Sequence, residues 1–438
     1  MLTEAAGTPK LGRQIHGLAS RLYPINRSLT GEGVRATLRV LQELLPELQI
    51  HEVASGTKAF DWTVPDEWNV REAWLEAPDG TRVADFSKHN LHLVGYSIPV
   101  DRRLELEELQ PHLHSLPDQP SAIPYVTSYY SPRWGFCLTH RDRECLKPGT
   151  YRAYNDATLA PGSLTYGELV LSGQTDREVF LSTYVCHPSM ANNELSGPCV
   201  TAYLAKWLME LDHRRYTYRL IFVPETIGAL VYLSRHLEHL QQTMTAGFNV
   251  TCIGDERCYS YMPSRAGDTI SDQVALHVLR HVAPSFKRYT YLERGSDERQ
   301  YCAPGVDLPV VSIMRSKYLE YPEYHTSLDD LTLVTPRGLE GGFRVLQRAI
   351  EVLEFNRTPV ATVVGEPQMG KRGLRPTLGT KTSFDGDQRI VMNVLGHADG
   401  KRSLLEIADI VGVPMWQVVP ICVMLKAHGL VDYCEGYD

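Results

Sequence analysis

The stretch REVFLSTYVCHPSMANNELSGPCVTAYLAKWLMEL, residues 177–211, decides the fold. Its first third is a near-continuous apolar run rich in β-branched and aromatic residues, which suits a strand covered on both faces of a sheet. Its last third repeats apolar residues at helical spacing. Between them lies a polar segment that opens on His187 and carries Glu194 seven positions later. Imidazole and carboxylate are both side chains that hold metals.

The same alternation recurs on either side. GELVLSG (167–173), YRLIFVPET (218–226), AGFNVTCIGDE (246–256) and LPVVSIM (308–314) read as strands. GALVYLSRHLEHLQQ (228–242), SDQVALHVLRHV (271–282) and TPRGLEGGFRVLQRAIEVLEF (335–355) read as helices. Alternating strands and helices predict an α/β fold, a mostly parallel sheet with helices on both faces. Residues 10–46 read as helical, with Val34, Leu38, Leu41 and Leu44 or Leu45 on one face and Pro46 as the stop. From 49 to 150 the chain turns rich in Trp, Tyr, Thr, Val, Pro and Gly. There EAWLEAPDGTRVADF (72–86) predicts a hairpin turning at Pro-Asp-Gly, so this region is an inserted β-rich domain. The expected organisation is a discontinuous catalytic domain (1–48 and 151–362), the insert (49–150), a Gly/Pro/Lys/Arg-rich linker (363–381) and a C-terminal winged helix-turn-helix (382–438).

Bulk properties narrow the class. The chain has 438 residues, 43% hydrophobic and 22% charged, with formal net charge −8, so a sizeable core is expected and no general pull toward nucleic acid or anionic membrane. No run is long and apolar enough to predict a membrane span. Nine cysteines without CxxC pairs and an N-terminus lacking an apolar signal core point to a reduced, cytoplasmic protein.

In open α/β sheets ligands bind beyond the carboxyl ends of the strands. Three strands here end in metal-type residues: at His187, at Glu225, and at Asp255 with Glu256. EYHTSLDDL (323–331) adds His325 in a loop after a fourth. Taken singly, each has a plainer reading: a hydrogen-bonded surface histidine, a helix N-terminal carboxylate, a turn aspartate. Their shared position at one sheet edge fits a zinc site of imidazole and carboxylate ligands with an open position, and sets that reading level with the plainer ones.

CHPSMANNELSG, PETIG, GDE, GSDERQY and YHTSLDDL occur in the order found in zinc-dependent aminopeptidases of the aminopeptidase Y and glutamate carboxypeptidase kind, which the chain resembles. YPINRSLTGEGVR (23–35), FDWTVPDEWNV (60–70) and the winged-helix tail are similar to a bacterial aminopeptidase-like family long labelled a domain of unknown function, over nearly the whole chain. The resemblance implies that His187 and His325 are the first and last histidine ligands, Asp255 a terminal carboxylate ligand, and Glu225 the general base. Two departures stand out. Asn193 replaces the aspartate that bridges two zinc ions, with Glu194 beside it, and Thr226 replaces a second glutamate ligand. An amide bridges two cations poorly and threonine is a rare zinc ligand. One zinc per chain is therefore expected, held by His187, by Asp255 or Glu194, and by His325.

Arg299 or Arg294 is a candidate to grip a substrate carboxylate, and Arg27 to reach the same cleft. Phe60, Trp62 and Trp68 read as packing for the insert in preference to a substrate wall. The tail from 371 to 438 holds eight Lys/Arg and eight Asp/Glu. Its second helix offers only Gln417 and Lys426 as polar contacts and is broken by Pro420, so it fits protein contacts, in a homo-oligomer, and not DNA. The expected activity is zinc-dependent hydrolysis of an amide in a small peptide or aminoacyl metabolite. The rivals are amide cyclisation or acyl transfer at an altered site, and a metabolite sensor with the winged helix as output.

Overall fold

All seven residues of the strand Glu178–Tyr184 are buried, as expected for a strand sealed on both faces. The computed structural model describes residues 10–374 and 386–434. The first nine residues, residues 375–385, which hold parts of the expected linker and winged module, and the last four residues lie outside the described residues.

The strand Glu178–Tyr184 sits inside an eight-stranded sheet. Its spatial order is Gln49–Ala54, Ser163–Leu171, Thr217–Val223, Glu178–Tyr184, Met244–Asn249, Val310–Met314, Ser260–Met262, Lys287–Arg288. The four strands from Thr217–Val223 to Val310–Met314 run parallel to one another. Antiparallel pairings flank them on both sides, and a further parallel pair, Ser260–Met262 with Lys287–Arg288, closes one edge, so the sheet is mixed. Helices cover both faces, and neighbouring residues of one strand show it. At Gly167 an added Cβ would meet Leu38 of the helix Glu32–Leu44, while Glu168 accepts from the Tyr232 hydroxyl of the helix Ile227–Thr243. Successive residues of a strand point to opposite faces, so these helices lie on opposite sides.

Two local readings are refined. The helical stretch over 10–46 is two helices, Lys10–Leu22 and Glu32–Leu44, because Pro24 and the following polar residues break the apolar periodicity. The insert builds its own four-stranded antiparallel sheet, Arg82–Asp85, Glu67–Glu76, Thr150–Ala160, Val100–Glu105, with the hairpin pairing Trp74 to Asp85. Its expected bounds of 49–150 are corrected at both ends, since Gln49–Ala54 pairs in the main sheet and Thr150–Ala160 in the insert's.

The chain divides into two compact units: residues up to Ser271 with Lys287–Arg344, and Asp272–Phe286 with the residues from Val345 onward. The insert belongs to the first. In the second, the helices Leu404–Val411 and Met415–Ala427 and the strand Val431–Tyr433, which pairs with Pro359–Ala361, make the winged helix-turn-helix. His277 clasps them: its Nδ1 lies 2.7 Å from Asp409 Oδ1, and its Nε2 accepts from the Met415 amide at 2.9 Å. Trp416 packs edge-on against His277 and His281. No single described helix is long and apolar enough to cross a membrane.

Where the parallel strands end, close packing fixes the chain. A Cβ on Gly197, in the first turn of the helix Ser196–Met209, would lie 2.3 Å from the Val250 carbonyl oxygen and 2.5 Å from Thr183 Oγ1. Neither is the tip of a flexible side chain. Gly197→Ala is expected to destabilise the first unit by about 2 kcal/mol through overpacking, read as a lowered urea midpoint at unchanged slope.

Candidate active site

Three chain segments leave the carboxyl ends of the parallel strands and meet over one cavity of about 400 Å³. Its polar lining includes His187, Glu225, Thr226, Arg299 and His325, and its aromatic wall is Trp62, Tyr125, Tyr129, Tyr130 and Tyr324. Of the expected site residues, His187, Glu225, Arg299 and His325 are therefore together. The aromatic residues of FDWTVPDEWNV part company. Trp68 is buried in the core as expected, whereas Trp62 joins the cavity wall and Phe60 is exposed.

His187 is 2% exposed. Its Nδ1 lies 2.9 Å from Glu194 Oε2 and its Nε2 lies 3.6 Å from Glu225 Oε2. Glu194 is buried and also faces the Arg27 guanidinium, at 3.6 Å. Arg27 Nε donates to the His187 carbonyl at 3.1 Å, and its Nη1 to the Leu22 carbonyl at 2.7 Å. Hydrogen bonding of one ring nitrogen settles which nitrogen is left to face a ligand. Here Glu194 takes the Nδ1 side, and Nε2 faces the cavity.

This corrects two expectations. Glu194 does not line the cavity; it hydrogen-bonds the His187 ring from behind. Arg27 does not reach substrate; burial removes it from the cleft and makes it the counter-ion of Glu194. A buried carboxylate requires such a partner. Arg294 is corrected too: it is exposed, lies over the Tyr291 ring at 4.7 Å, and donates to the Tyr291 carbonyl.

Asp255 is also otherwise engaged. Its oxygens accept from the Ser316 amide (2.8 Å) and hydroxyl (2.9 Å), the Arg257 amide (2.8 Å) and Asn192 Nδ2 (3.2 Å). Four donors use up its lone pairs, so it holds the loop together and does not line the cavity. Asn193 donates to the Tyr184 hydroxyl at 2.9 Å. His325 Nε2 is buried without a hydrogen-bond partner, and the ring stacks on Tyr324 at 3.9 Å. Burial and the nearby His187 push His325 down to about 3, so it is a neutral imidazole. At Glu225, burial raises the carboxyl, while the charges of His187 and Arg299 pull it back down.

These donors decide how a zinc of the expected kind would fit. The neutral, unpartnered His325 Nε2 and the cavity-facing His187 Nε2 are the donor type that zinc takes, and they fit one ion. Asn193 and Thr226 offer no carboxylate and Asp255 is engaged by four donors, so the imidazoles and the Glu225 carboxylate are the metal-type groups on the cavity wall. Among the described residues, the trios of His, Cys, Asp or Glu donor atoms lying within 4.8 Å of one another are Cys186, His187 and Glu194, and His277, His281 and Asp409. The first contains the Glu194–His187 hydrogen bond behind the cavity. In the second both nitrogens of His277 are already used.

Asp329 drew no role from the sequence, yet it builds the site. Its carboxylate accepts from the amides of Asn192 (2.6 Å) and Asn193 (2.9 Å) and from the Tyr321 hydroxyl (2.8 Å), and its carbonyl accepts from the Ala191 amide. It thereby caps the wide π-type turn Ala191–Leu195 that enters the helix Ser196–Met209. Burial raises its carboxyl to about 6 against those donors. Asp297 was missed as well: buried, it accepts from the Thr226 amide at 2.7 Å. The signals were in the quoted motifs, as the first aspartate of YHTSLDDL and the aspartate of GSDERQY.

A family model described as "Domain of unknown function (DUF4910)" matches residues 16–356, and one described as "winged helix-turn-helix" matches residues 357–433. A Clostridium acetobutylicum protein named "Putative polysaccharide biosynthesis protein with aminopeptidase-like domain" is 42% identical over 398 residues, 91% of each chain. The crystal structure of a "putative peptidase" from Clostridium acetobutylicum superposes with TM-score 0.92 at 39% identity, covering 98% of this chain and 97% of that one. A zinc aminopeptidase from Bacillus subtilis superposes with TM-score 0.55 at 13% identity, covering 79% and 95%, a likeness of fold alone.

Removing one partner of a buried ion pair leaves the other uncompensated, at roughly 3–5 kcal/mol. Arg27→Met should cost about 3 kcal/mol of stability in urea unfolding, and Arg27→Met with Glu194→Gln clearly less than the sum of the two single changes. Additive costs would mean that the two side chains do not act as a pair.

Proposed function

The chain belongs to the family described as a domain of unknown function (DUF4910), with an aminopeptidase-like fold and a C-terminal winged helix-turn-helix, and from that premise we propose that it hydrolyses an amide bond in a small aminoacyl or amino-sugar metabolite. The observation that carries this reading is Glu225: a carboxylate on the cavity wall, 3.6 Å from His187 Nε2. A carboxylate raised by burial at such a position suits proton transfer between attacking water and leaving amine.

The cavity wall supports a small substrate. It carries five aromatic rings and only two aliphatic side chains, Leu29 and Ile227, so flat rings with polar substituents suit it better than extended aliphatic chains. The name of the Clostridium acetobutylicum relative, with its reference to polysaccharide biosynthesis, favours an amino-sugar amide within this class. One zinc ion, with the His187 and His325 imidazoles as protein donors, supplies Lewis-acid polarisation of the carbonyl when bound. Glu225 takes the proton that water gives up and returns it to the amine nitrogen. Glu194 and Arg27 keep His187 in the orientation this requires.

The test is a panel of amino-acid p-nitroanilides and N-acetylated and N-aminoacyl hexosamines, assayed on protein purified without chelator or affinity nickel. Turnover of at least one member is expected, with a fall of roughly 10²–10⁴-fold in Glu225→Gln. An inert panel, or turnover indifferent to Glu225→Gln, would sink the reading. Plasma mass spectrometry on the same protein should find close to one zinc per chain, lost in His187→Ala/His325→Ala. Two ions per chain would contradict the reading of Asn193 and Thr226.

A further inference from the structure

Hydrolysis of an amide passes through a tetrahedral intermediate. The water oxygen bonds to the carbonyl carbon, and the π pair of the C=O bond moves onto its oxygen. The proton released goes to the base and then to the nitrogen as the C–N bond breaks. The oxyanion needs donors fixed in advance, and most donors beside Glu225 are already used. The Glu225 amide points at Cys186 Sγ (3.2 Å), the Thr226 amide at Asp297 Oδ1 (2.7 Å), and the Ile227 amide at the Glu225 carbonyl (2.8 Å). Across the cavity, the Gly295 amide is taken by Glu298 Oε1 (2.8 Å) and the Tyr318 hydroxyl (2.9 Å). The hydroxyls of Tyr125 and Tyr129 share one hydrogen bond, which uses one of their two O–H donors, and that of Tyr130 donates to the Thr63 carbonyl.

Arg299 is different. It lines the cavity and its Nη2 donates to Thr226 Oγ1 at 2.6 Å, a bond that uses one of its five N–H donors. Thr226 itself is held at φ 64°, a left-handed conformation that is an outlier for a β-branched residue. Asp297 and Arg299 clamp it from its amide and its hydroxyl. Strain of this kind persists only where the surroundings impose it, and it collects at functional sites. The clamp sets the guanidinium beside the residue that follows the base.

We infer that Arg299 is the oxyanion-stabilising cation of this cleft, a catalytic residue that grips the tetrahedral intermediate and not a ground-state anchor for a substrate carboxylate. The inference rests on the amide-hydrolase reading above and adds to it a side-chain stabiliser of the oxyanion, beside the Lewis-acid polarisation that zinc would supply. Tetrahedral anions should consequently bind in preference to planar ones.

The experiment compares wild type, Arg299→Met, Arg299→Lys and Tyr324→Phe, using the best-turned-over member of the panel and, by calorimetry, methylphosphonate and 1-aminoethylphosphonate against acetate and alanine. Arg299→Met should lower kcat by roughly 100-fold or more, the loss seen when one such donor is removed, with KM changed by less than about threefold. It should also lose phosphonate binding, while Arg299→Lys retains part of both. A rise in KM at unchanged kcat would make Arg299 a ground-state anchor and overturn the inference. So would a loss of kcat confined to Tyr324→Phe, or wild-type affinity for acetate equal to that for methylphosphonate. Turnover untouched by Arg299→Met overturns this inference alone, whereas no turnover by the wild type overturns the hydrolase reading with it. Arg299 is exposed, so its variants are expected to fold, with circular dichroism as the check.

Discussion

A carboxylate buried without charge compensation is among the most costly features a fold can carry, and Glu194 escapes that cost only through its two partners. Its oxygens face Arg27 and the His187 ring, and all three side chains are out of solvent. Arg27 arrives from the segment between the two N-terminal helices, His187 from just past the end of a fully buried strand, and Glu194 from the π-type turn. Satisfying this one charge therefore fixes the relative position of three chain segments. The same contact turns the His187 ring so that Nε2 faces the cavity. Stability and site geometry rest on one interaction, which is why a change at Arg27, outside the cavity, would reach it.

The layout of the fold was legible because its cause is local and periodic. A near-continuous apolar run between polar flanks specifies a strand sealed on both faces, and helices of 13 to 20 residues with one apolar face specify what seals it. The convergence of His187, Glu225 and His325 was legible for a topological reason, since ligand groups at the carboxyl ends of parallel strands must meet. What the sequence hid was the direction of each side chain. Glu194 and Asp255 are metal-type residues in metal-type positions. An ion pair with Arg27 and hydrogen bonds from Ser316, both formed by segments distant along the chain, turn them to other work. Arg27 read as a cleft residue because its neighbours are polar, and nothing short of the packed structure reveals its burial.

Asp329 and Asp297 show the complementary failure. Neither lies at a strand end, so the rule that finds ligands passes over them. Both act on backbone amides: Asp329 on those of the turn before the helix Ser196–Met209, Asp297 on that of Thr226. A buried aspartate that caps loop amides leaves no periodic trace, and its presence inside a longer motif is the sole sequence signal.

The cavity combines a retained part and a replaced part. The two imidazoles and the Glu225 carboxylate meet there, and each histidine has a neighbour that holds it: Glu194 behind His187, and Tyr324 flat against His325. Around them, amide and hydroxyl groups stand where carboxylates would add negative charge, at Asn193 and Thr226. A cleft with fewer carboxylates is less able to hold several cations, so under the proposed hydrolysis a side-chain charge would share in stabilising the transition state. Arg299, bonded to the hydroxyl of Thr226, supplies a positive charge at that point. A threonine, where the resemblance to zinc aminopeptidases implies a carboxylate, and a guanidinium on its hydroxyl form one electrostatic arrangement. A carboxylate at 226 would pair with Arg299 and neutralise it, whereas a hydroxyl orients the guanidinium and leaves its charge free to act.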